Sequence, residues 1–130
     1  MILIFGGVYQ GKLAYASERL ALADDDIYRC SIDDVAAPGG KRLIYEIDKW
    51  ILALVKADSD VTREVRSFIA ENEDVAVICN DISCGVVPED PECRKWREAV
   101  GKAMTELARA SDEVIRLFCG IATVLKYKEN

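Results

Sequence analysis

Apolar residues occur along the chain in two patterns, as short unbroken runs and as longer stretches with helical spacing. The unbroken runs are MILIF at residues 1–5, IYRCSI at 27–32, VAVIC at 75–79 and EVIRLFCGIATVLKY at 113–127. Short apolar runs bounded by turn residues are typical of strands, and a run without polar alternation is typical of a strand buried on both faces. The last run is interrupted by Gly120 and predicts two strands in a terminal hairpin.

Four helices are predicted between these strands. The first extends from Gly11 to about Ala23 and is ended by the acidic cluster Asp24–Asp26. The apolar stripes of the other three are Leu43, Ile44, Ile47, Trp50, Ile51, Leu54 and Val55; then Val61, Val65, Phe68 and Ile69; then Trp96, Val100, Ala103 and Leu107. Ser59 or Asp60 is the expected N-cap of the third helix. Segments 33–40 and 88–91 contain proline and predict loops.

The alternation of strands and helices predicts one α/β domain over residues 1–130. We expect three layers, with helices on both faces of a mostly parallel sheet and an antiparallel hairpin at the C-terminus. Ligands of such sheets bind at the carboxyl ends of the strands. The first strand ends at Gly6 and the VAVIC strand ends at Asn80 and Asp81, so both ends are expected at one edge of the sheet.

Composition and charge narrow the possible partners. The chain has 130 residues, 51% of them hydrophobic and 31% charged, which is typical of a globular domain. A net charge of −6 argues against nucleic acid or an anionic membrane as the main partner. The apolar N-terminus has no basic lead-in and predicts a buried strand rather than a signal peptide.

Five cysteines without a C-x-x-C pair predict reduced thiols, and we expect a cytoplasmic protein. A metal site built from Cys79, Cys84 and Cys93 is disfavoured, because their spacing matches no metal module. Cys84 precedes Gly85 and is interpreted as an inert thiol, since no imidazole is present to activate it.

The segment from Gly6 to Lys12 has the spacing of a phosphate-binding loop, G-x-x-x-x-G-K, directly after a strand. Such a loop binds phosphate through successive backbone N–H groups and a helix N-terminus, while the lysine adds a positive charge. The predicted nucleotide-binding residues are Gly6, Gly7, Val8, Tyr9, Gln10, Gly11, Lys12 and Leu13. The alternative is a glycine turn that only connects a strand to a helix, with Lys12 in solvent.

Leu13 occupies the position where a phosphate-binding loop carries the hydroxyl that ligates Mg²⁺. A leucine side chain cannot ligate a metal, so the ion is left to Asp81 or to the nucleotide and its waters. Asp81 follows an apolar strand, as a Walker-B acid does, although a turn or N-cap aspartate is an equal alternative. Glu46 and Asp48 are expected on the solvated side of the second helix.

The chain contains no histidine. No imidazole is therefore present to act as a base, as a metal ligand or as a covalent carrier. This observation restricts the reaction classes more than any other feature of the sequence.

Two segments, NDISCGVVP at 80–88 and WREAVGKAMTELARASDEV at 96–114, together with ILIFGGVYQGKL at 2–13, resemble the adenosylcobinamide kinase / adenosylcobinamide-phosphate guanylyltransferase family. The resemblance implies a recombinase-type P-loop fold. It also implies phosphorylation of the aminopropanol hydroxyl of a corrinoid, transfer of GMP from GTP through a histidine, and a homotrimer.

This chain departs from the family pattern at its chemical positions. The guanylyl-carrying histidine is absent, Leu13 replaces a hydroxyl residue, and Met104 stands where the family has asparagine. Tyr45 and Glu46 are the nearest counterpart of the acidic strand end of the family. Guanylyl transfer through a histidine is therefore excluded.

Three readings follow. In the first, the chain is an enzyme, a reduced kinase that binds GTP or ATP through Gly6 to Lys12, holds Mg²⁺ or its water with Asp81, and phosphorylates a corrinoid alcohol. In the second, the fold binds a nucleotide or a protein partner without turnover. In the third, the domain is a structural remnant with an empty loop. We favour a nucleotide-binding relative with impaired catalysis.

Overall fold

The computed structural model describes residues 1–82 and 90–128. The strands are β1 (Ile2–Gly6), β2 (Ile27–Arg29), β3 (Leu43–Tyr45), β4 (Ala76–Asn80), β5 (Glu113–Phe118) and β6 (Ile121–Lys126). The helices are α1 (Lys12–Leu20), α2 (Ile47–Lys56), α3 (Val61–Glu71) and α4 (Pro91–Ala110), and a short 3₁₀ turn covers Asp24–Asp26.

The six strands form one sheet in the order β2-β3-β4-β1-β5-β6. Strands β1 to β5 are mutually parallel, and β6 returns antiparallel to β5. Parallel pairing requires crossover connections. Helices supply them after β1, β3 and β4, whereas residues 30–42 connect β2 to β3 without a helix. The predicted fold class, with its terminal hairpin, is confirmed.

Helices cover both faces of the sheet. Successive residues of each central strand point to opposite sides, so each strand contributes side chains to the core on both faces. In β4, which is buried at every position, Val77 and Cys79 pack with residues of α2, α3 and α4. Ala76 and Ile78 face the other way and pack with Ala16 of α1. Two hydrophobic cores of unequal size result, one on each side of the sheet.

Strand β3 was not predicted, and the second helix was predicted to begin too early. Leu43 and Ile44 are fully buried strand residues, and α2 starts only at Ile47. A three-residue strand has no period of its own. Leu43 and Ile44 stand four and three residues before Ile47, so they extend the helical stripe by coincidence.

The remaining elements lie near their predicted places. Strand β2 ends at Arg29 rather than at Ile32. Asp60 is the N-cap of α3, and its carboxylate accepts a hydrogen bond from the backbone N–H of Arg63. Pro88 lies outside the described residues.

Helix α4 is the longest helix that the structure describes, with 20 residues. Asp90 caps its N-terminus, and Pro91 occupies the first helical turn, where a missing N–H has no cost. Among residues 1–82 and 90–128, no helix combines the length and the apolar character that crossing a membrane requires.

Candidate phosphate-binding site

The glycine loop connects the carboxyl end of β1 to the N-terminus of α1, in the middle of the sheet. Gly11 is the residue before α1 and has a φ of 88°, a left-handed conformation that favours glycine. No described side chain caps this helix, and its first turn carries no acidic residue. The first N–H groups of α1 are therefore free of a competing side-chain acceptor, as anion binding requires.

Lys12 is buried within the loop rather than extended into solvent. It is 5% exposed, and its Nζ donates a hydrogen bond to the Gly7 carbonyl oxygen at 2.5 Å. Burial lowers the pKa of the Lys12 ammonium, while the charges of Asp48 and Glu46 oppose that shift. In the described part of the chain no carboxylate forms an ion pair with Lys12.

The ends of β1 and β4 lie side by side. Gly6 pairs with Asn80, and the backbone N–H of Asp81 donates to the Gly6 carbonyl oxygen at 2.7 Å. The structure thus brings Asp81 next to the first glycine of the loop. Its role as a metal ligand stays a prediction.

Glu46 and Asp48 are not solvated helix residues, so this part of the sequence interpretation is wrong. Asp48 is 3% exposed, and its carboxylate accepts hydrogen bonds from the backbone N–H and the side-chain amide of Asn80. Glu46 accepts a second hydrogen bond from that amide at 2.8 Å and pairs with Lys49 at 3.0 Å. The reason is that β3 runs directly into α2, which places the first turn of α2 against the end of β4.

The pKa of Asp48 is raised by burial, although its hydrogen bonds to Asn80 oppose the shift. Glu46 has a φ of 59°, which is uncommon for a residue with a side chain. Non-glycine residues in this region cost free energy and occur often at functional sites. The burial of Asp48 and the positive φ of Glu46 both indicate that the β3–α2 junction is part of the candidate site.

A cavity of about 360 Å³ opens at the carboxyl ends of β1, β3 and β4. Its described lining consists of Val8, Tyr9, Gln10, Gly11, Lys12, Leu13, Ala14, Tyr45, Glu46, Lys49 and Asn80. The structure therefore brings six of the eight predicted loop residues together with the β3–α2 junction. Asp81 is not among the described residues that line it.

Two loop residues stand at the outer tip. Val8 is 49% exposed, and Tyr9 is 99% exposed with a φ of 62°. Gln10 instead faces the terminal hairpin, where its carbonyl oxygen accepts from the Gly120 N–H at 3.1 Å and its Oε1 accepts from the Cys119 N–H. The hairpin turn thus fixes one side of the loop.

Leu13 lies partly buried, with its side chain packed against the core beneath α1. Among the residues that line the cavity, Glu46 carries a carboxylate, and Gln10 and Asn80 carry amide oxygens. In the described residues no group of three or more histidine, cysteine or acidic side chains is placed to hold a metal ion. A Mg²⁺ ion on a nucleotide keeps several waters and needs only one or two protein oxygens, so these residues fit a metal–nucleotide complex.

The cysteines that the structure describes are free thiols. Burial raises the pKa of Cys30 to about 12 and raises the pKa of Cys79 well above its usual range. Buried thiols of this kind are poor nucleophiles. Cys84 lies outside the described residues.

The fold and the site define an α/β protein with a parallel sheet and a glycine loop at the carboxyl ends of its central strands. A family model described as cobinamide kinase / cobinamide phosphate guanyltransferase matches residues 30–125. The chain belongs to this family, which confirms the resemblance found in its sequence. No curated protein matches the chain. The matched range begins after the glycine loop, so evidence on the loop comes from its geometry.

Sequence reasoning missed the burial of Asp48 and Glu46, which were placed on a solvated helix face, although Glu46 was also the nearest counterpart of the family's acidic strand end. Asn80 was placed at the correct strand end and within the segment NDISCGVVP, but its side chain was given no role. The signal for such a role is its position as the last residue of a fully buried strand in a parallel sheet.

Proposed function

We propose that the chain binds a nucleoside triphosphate, GTP or ATP, at the loop from Gly6 to Leu13. The observation that carries this proposal is the state of Lys12. Its ammonium group is buried beside the cavity and hydrogen-bonded to a loop carbonyl oxygen, with no ion pair to a described carboxylate. Burying an ammonium group without a carboxylate partner is costly, and a phosphate would compensate it.

The chain supplies binding groups more clearly than catalytic ones. The uncapped N–H groups of α1 and the Lys12 ammonium would hold the phosphates, and a Mg²⁺ ion bound with them would supply charge neutralisation. Leu13 provides no hydroxyl, and no histidine of the chain is present to carry a guanylyl group. We therefore propose a member of the family with impaired catalysis, whose phosphoryl acceptor, if turnover occurs, is a corrinoid alcohol.

Calorimetric titration with a series of ligands tests this proposal. GTP and ATP are expected to bind in the presence of Mg²⁺ with micromolar dissociation constants, about −8 kcal/mol. Guanosine and adenosine, which lack phosphates, are expected to give no measurable heat. A matched radiolabel assay with a cobinamide acceptor then measures phosphoryl transfer separately from binding.

Equal binding of nucleosides and nucleotides would contradict a phosphate site. Absence of binding by every triphosphate, with no thermal stabilisation, would instead favour an interaction domain or a structural remnant with an empty loop. Binding without phosphoryl transfer would favour the module without turnover.

We further propose that copies of the chain associate through β6, as the resemblance to a trimeric family suggests. Every residue of β6 is exposed, and it forms one edge of the sheet. The large apolar residues in and beside it are Phe118, Ile121, Val124, Leu125 and Tyr127, each more than half exposed. An apolar edge strand is a template for pairing with another strand, and a second copy brings the same edge.

Leu125→Lys is expected to shift the protein toward the monomer, because a charge would be buried in the proposed contact. Sedimentation velocity over a range of concentrations measures the change. Val35→Lys is the matched control, since Val35 is also about half exposed but lies in the loop before β3. A wild-type protein that stays monomeric at every concentration would contradict the proposed association.

A further inference from the structure

Asn80 is a buried polar residue that connects the end of β4 with the glycine loop and the cavity. It ends β4, pairs with Gly6 of the loop, and lines the same cavity as Lys12. It is 5% exposed, so its polar side chain is almost fully removed from bulk water. A buried amide in this position needs partners for both its N–H groups and its oxygen.

Two carboxylates fix the orientation of this amide. Its Nδ2 donates to Glu46 Oε2 at 2.8 Å and to Asp48 Oδ2 at 3.2 Å, while Asp48 Oδ1 accepts from the Asn80 backbone N–H at 3.0 Å. Both hydrogens of the amide are therefore used. The opposite rotamer would direct the amide oxygen at two carboxylates, so the assignment of oxygen and nitrogen is determined by charge.

The amide oxygen remains for a ligand. Among the described residues no donor forms a hydrogen bond to Asn80 Oδ1. In the same part of the chain no fully buried side-chain oxygen or nitrogen lacks a partner, so Oδ1 is not sealed in the core. Asn80 lines the cavity, so a ligand in the cavity lies next to this residue.

The chemistry of this oxygen suits a hard cation. Carbonyl and carboxylate oxygens are the protein ligands that Mg²⁺ prefers. Donation of both amide hydrogens to carboxylates increases the electron density on Oδ1, as hydrogen-bonded partners behind a metal ligand commonly do. The phosphate loop itself offers no such oxygen at position 13, where the side chain is Leu13.

We propose that Asn80 Oδ1 is the protein ligand of the metal ion in a bound metal–nucleotide complex, in place of the hydroxyl that Leu13 lacks. Glu46 and Asp48 act as positioning residues that hold the amide in this orientation. The proposal rests on the proposed nucleotide binding and specifies how that site holds its metal.

The test is the ratio of GTP affinities measured with Mg²⁺ and with a chelator. The ratio is expected to fall by about tenfold or more in Asn80→Ala, with affinity in the chelator nearly unchanged. Asn80→Ser keeps an oxygen that can ligate the ion, so its affinity ratio is expected to lie between those of Asn80→Ala and the wild type. It also replaces Asn80→Ala in the test if that variant does not fold. Asn72→Ala is the matched control, because Asn72 is the C-cap of α3 and does not line the cavity.

Each alternative outcome is distinct. If Asp81→Ala abolishes the ratio while Asn80→Ala keeps it, Asp81 holds the metal and the proposal is overturned. An equal loss of affinity with and without Mg²⁺ in both Asn80 variants would indicate a structural role and also overturn it. If wild-type protein binds GTP equally in Mg²⁺ and chelator, no protein ligand to the ion exists. If it binds no GTP at all, the proposed function itself fails.

Discussion

Gly6→Ala is expected to lower the free energy of unfolding by about 3 kcal/mol or more, the effect of overpacking combined with a strained backbone. Gly6 has a φ of 154°, and a Cβ atom added there would overlap the carbonyl oxygen of Leu117 on β5. The obstacle is backbone in a neighbouring strand, so it cannot move aside without disturbing the centre of the sheet. Urea denaturation measures the loss.

Gly7→Ala is the matched control for this substitution. A Cβ atom at Gly7 would lie 3.6 Å from Gln10 Cγ, an ordinary contact with a flexible side chain. We expect its free energy of unfolding to stay within about 1 kcal/mol of the wild type. Equal stability of the two variants would show that the close approach of the β1 end to β5 is not required.

Sequence reasoning succeeded where one physical signal dominated. The β4 run is apolar at every position because both faces of a central parallel strand are covered, and β1 is cut short by the glycines of the loop. The terminal hairpin is predicted by an apolar tail interrupted at Gly120. At these elements the pattern of apolar residues along the chain matches the burial of the strand in the fold, so the type of element could be predicted from the residues alone.

Sequence reasoning failed at the β3–α2 junction because local pattern and tertiary placement conflict there. Strand β3 is too short to show a period, and its residues fit the stripe of the following helix. Asp48 lies in the first turn of α2, where a side chain faces the end of β4 rather than solvent. A helical wheel uses only the angular position of each residue around the helix axis. It therefore cannot identify a carboxylate that is buried by a neighbouring strand.

The same limit applies to the glycine loop from Gly6 to Leu13. Its spacing could be recognised in the sequence, but Gln10 contacts hairpin residues more than 100 positions away, and Lys12 lies near the charges of Asp48 and Glu46 on another element. The candidate site is thus assembled from a local motif and from three side chains, Glu46, Asp48 and Asn80, that only the sheet order brings together.

Lys12→Met is expected to weaken GTP binding by about 10- to 100-fold, since a hydrogen bond to a charged group contributes about 1.5–3 kcal/mol. Stability is expected to change little at neutral pH or to increase. The reason is that burial lowers the pKa of Lys12, which means that the folded state disfavours its charge. A methionine of similar length removes that cost while it fills the same space. Calorimetry and urea denaturation measure the two effects.

The pH dependence gives this prediction a definite sign. Between the lowered pKa of folded Lys12 and its usual value of 10.5, the unfolded chain binds more protons than the folded one. The free energy of unfolding contributed by Lys12 therefore rises with pH through that range. The stability difference, Lys12→Met minus wild type, is expected to fall as the pH is raised, and Lys102→Met, which replaces an exposed lysine of α4, is the control for the loss of a lysine. A difference that rises with pH would mean that Lys12 is stabilised as a cation by Asp48 and Glu46, and that an incoming phosphate would have to compete with them for its charge.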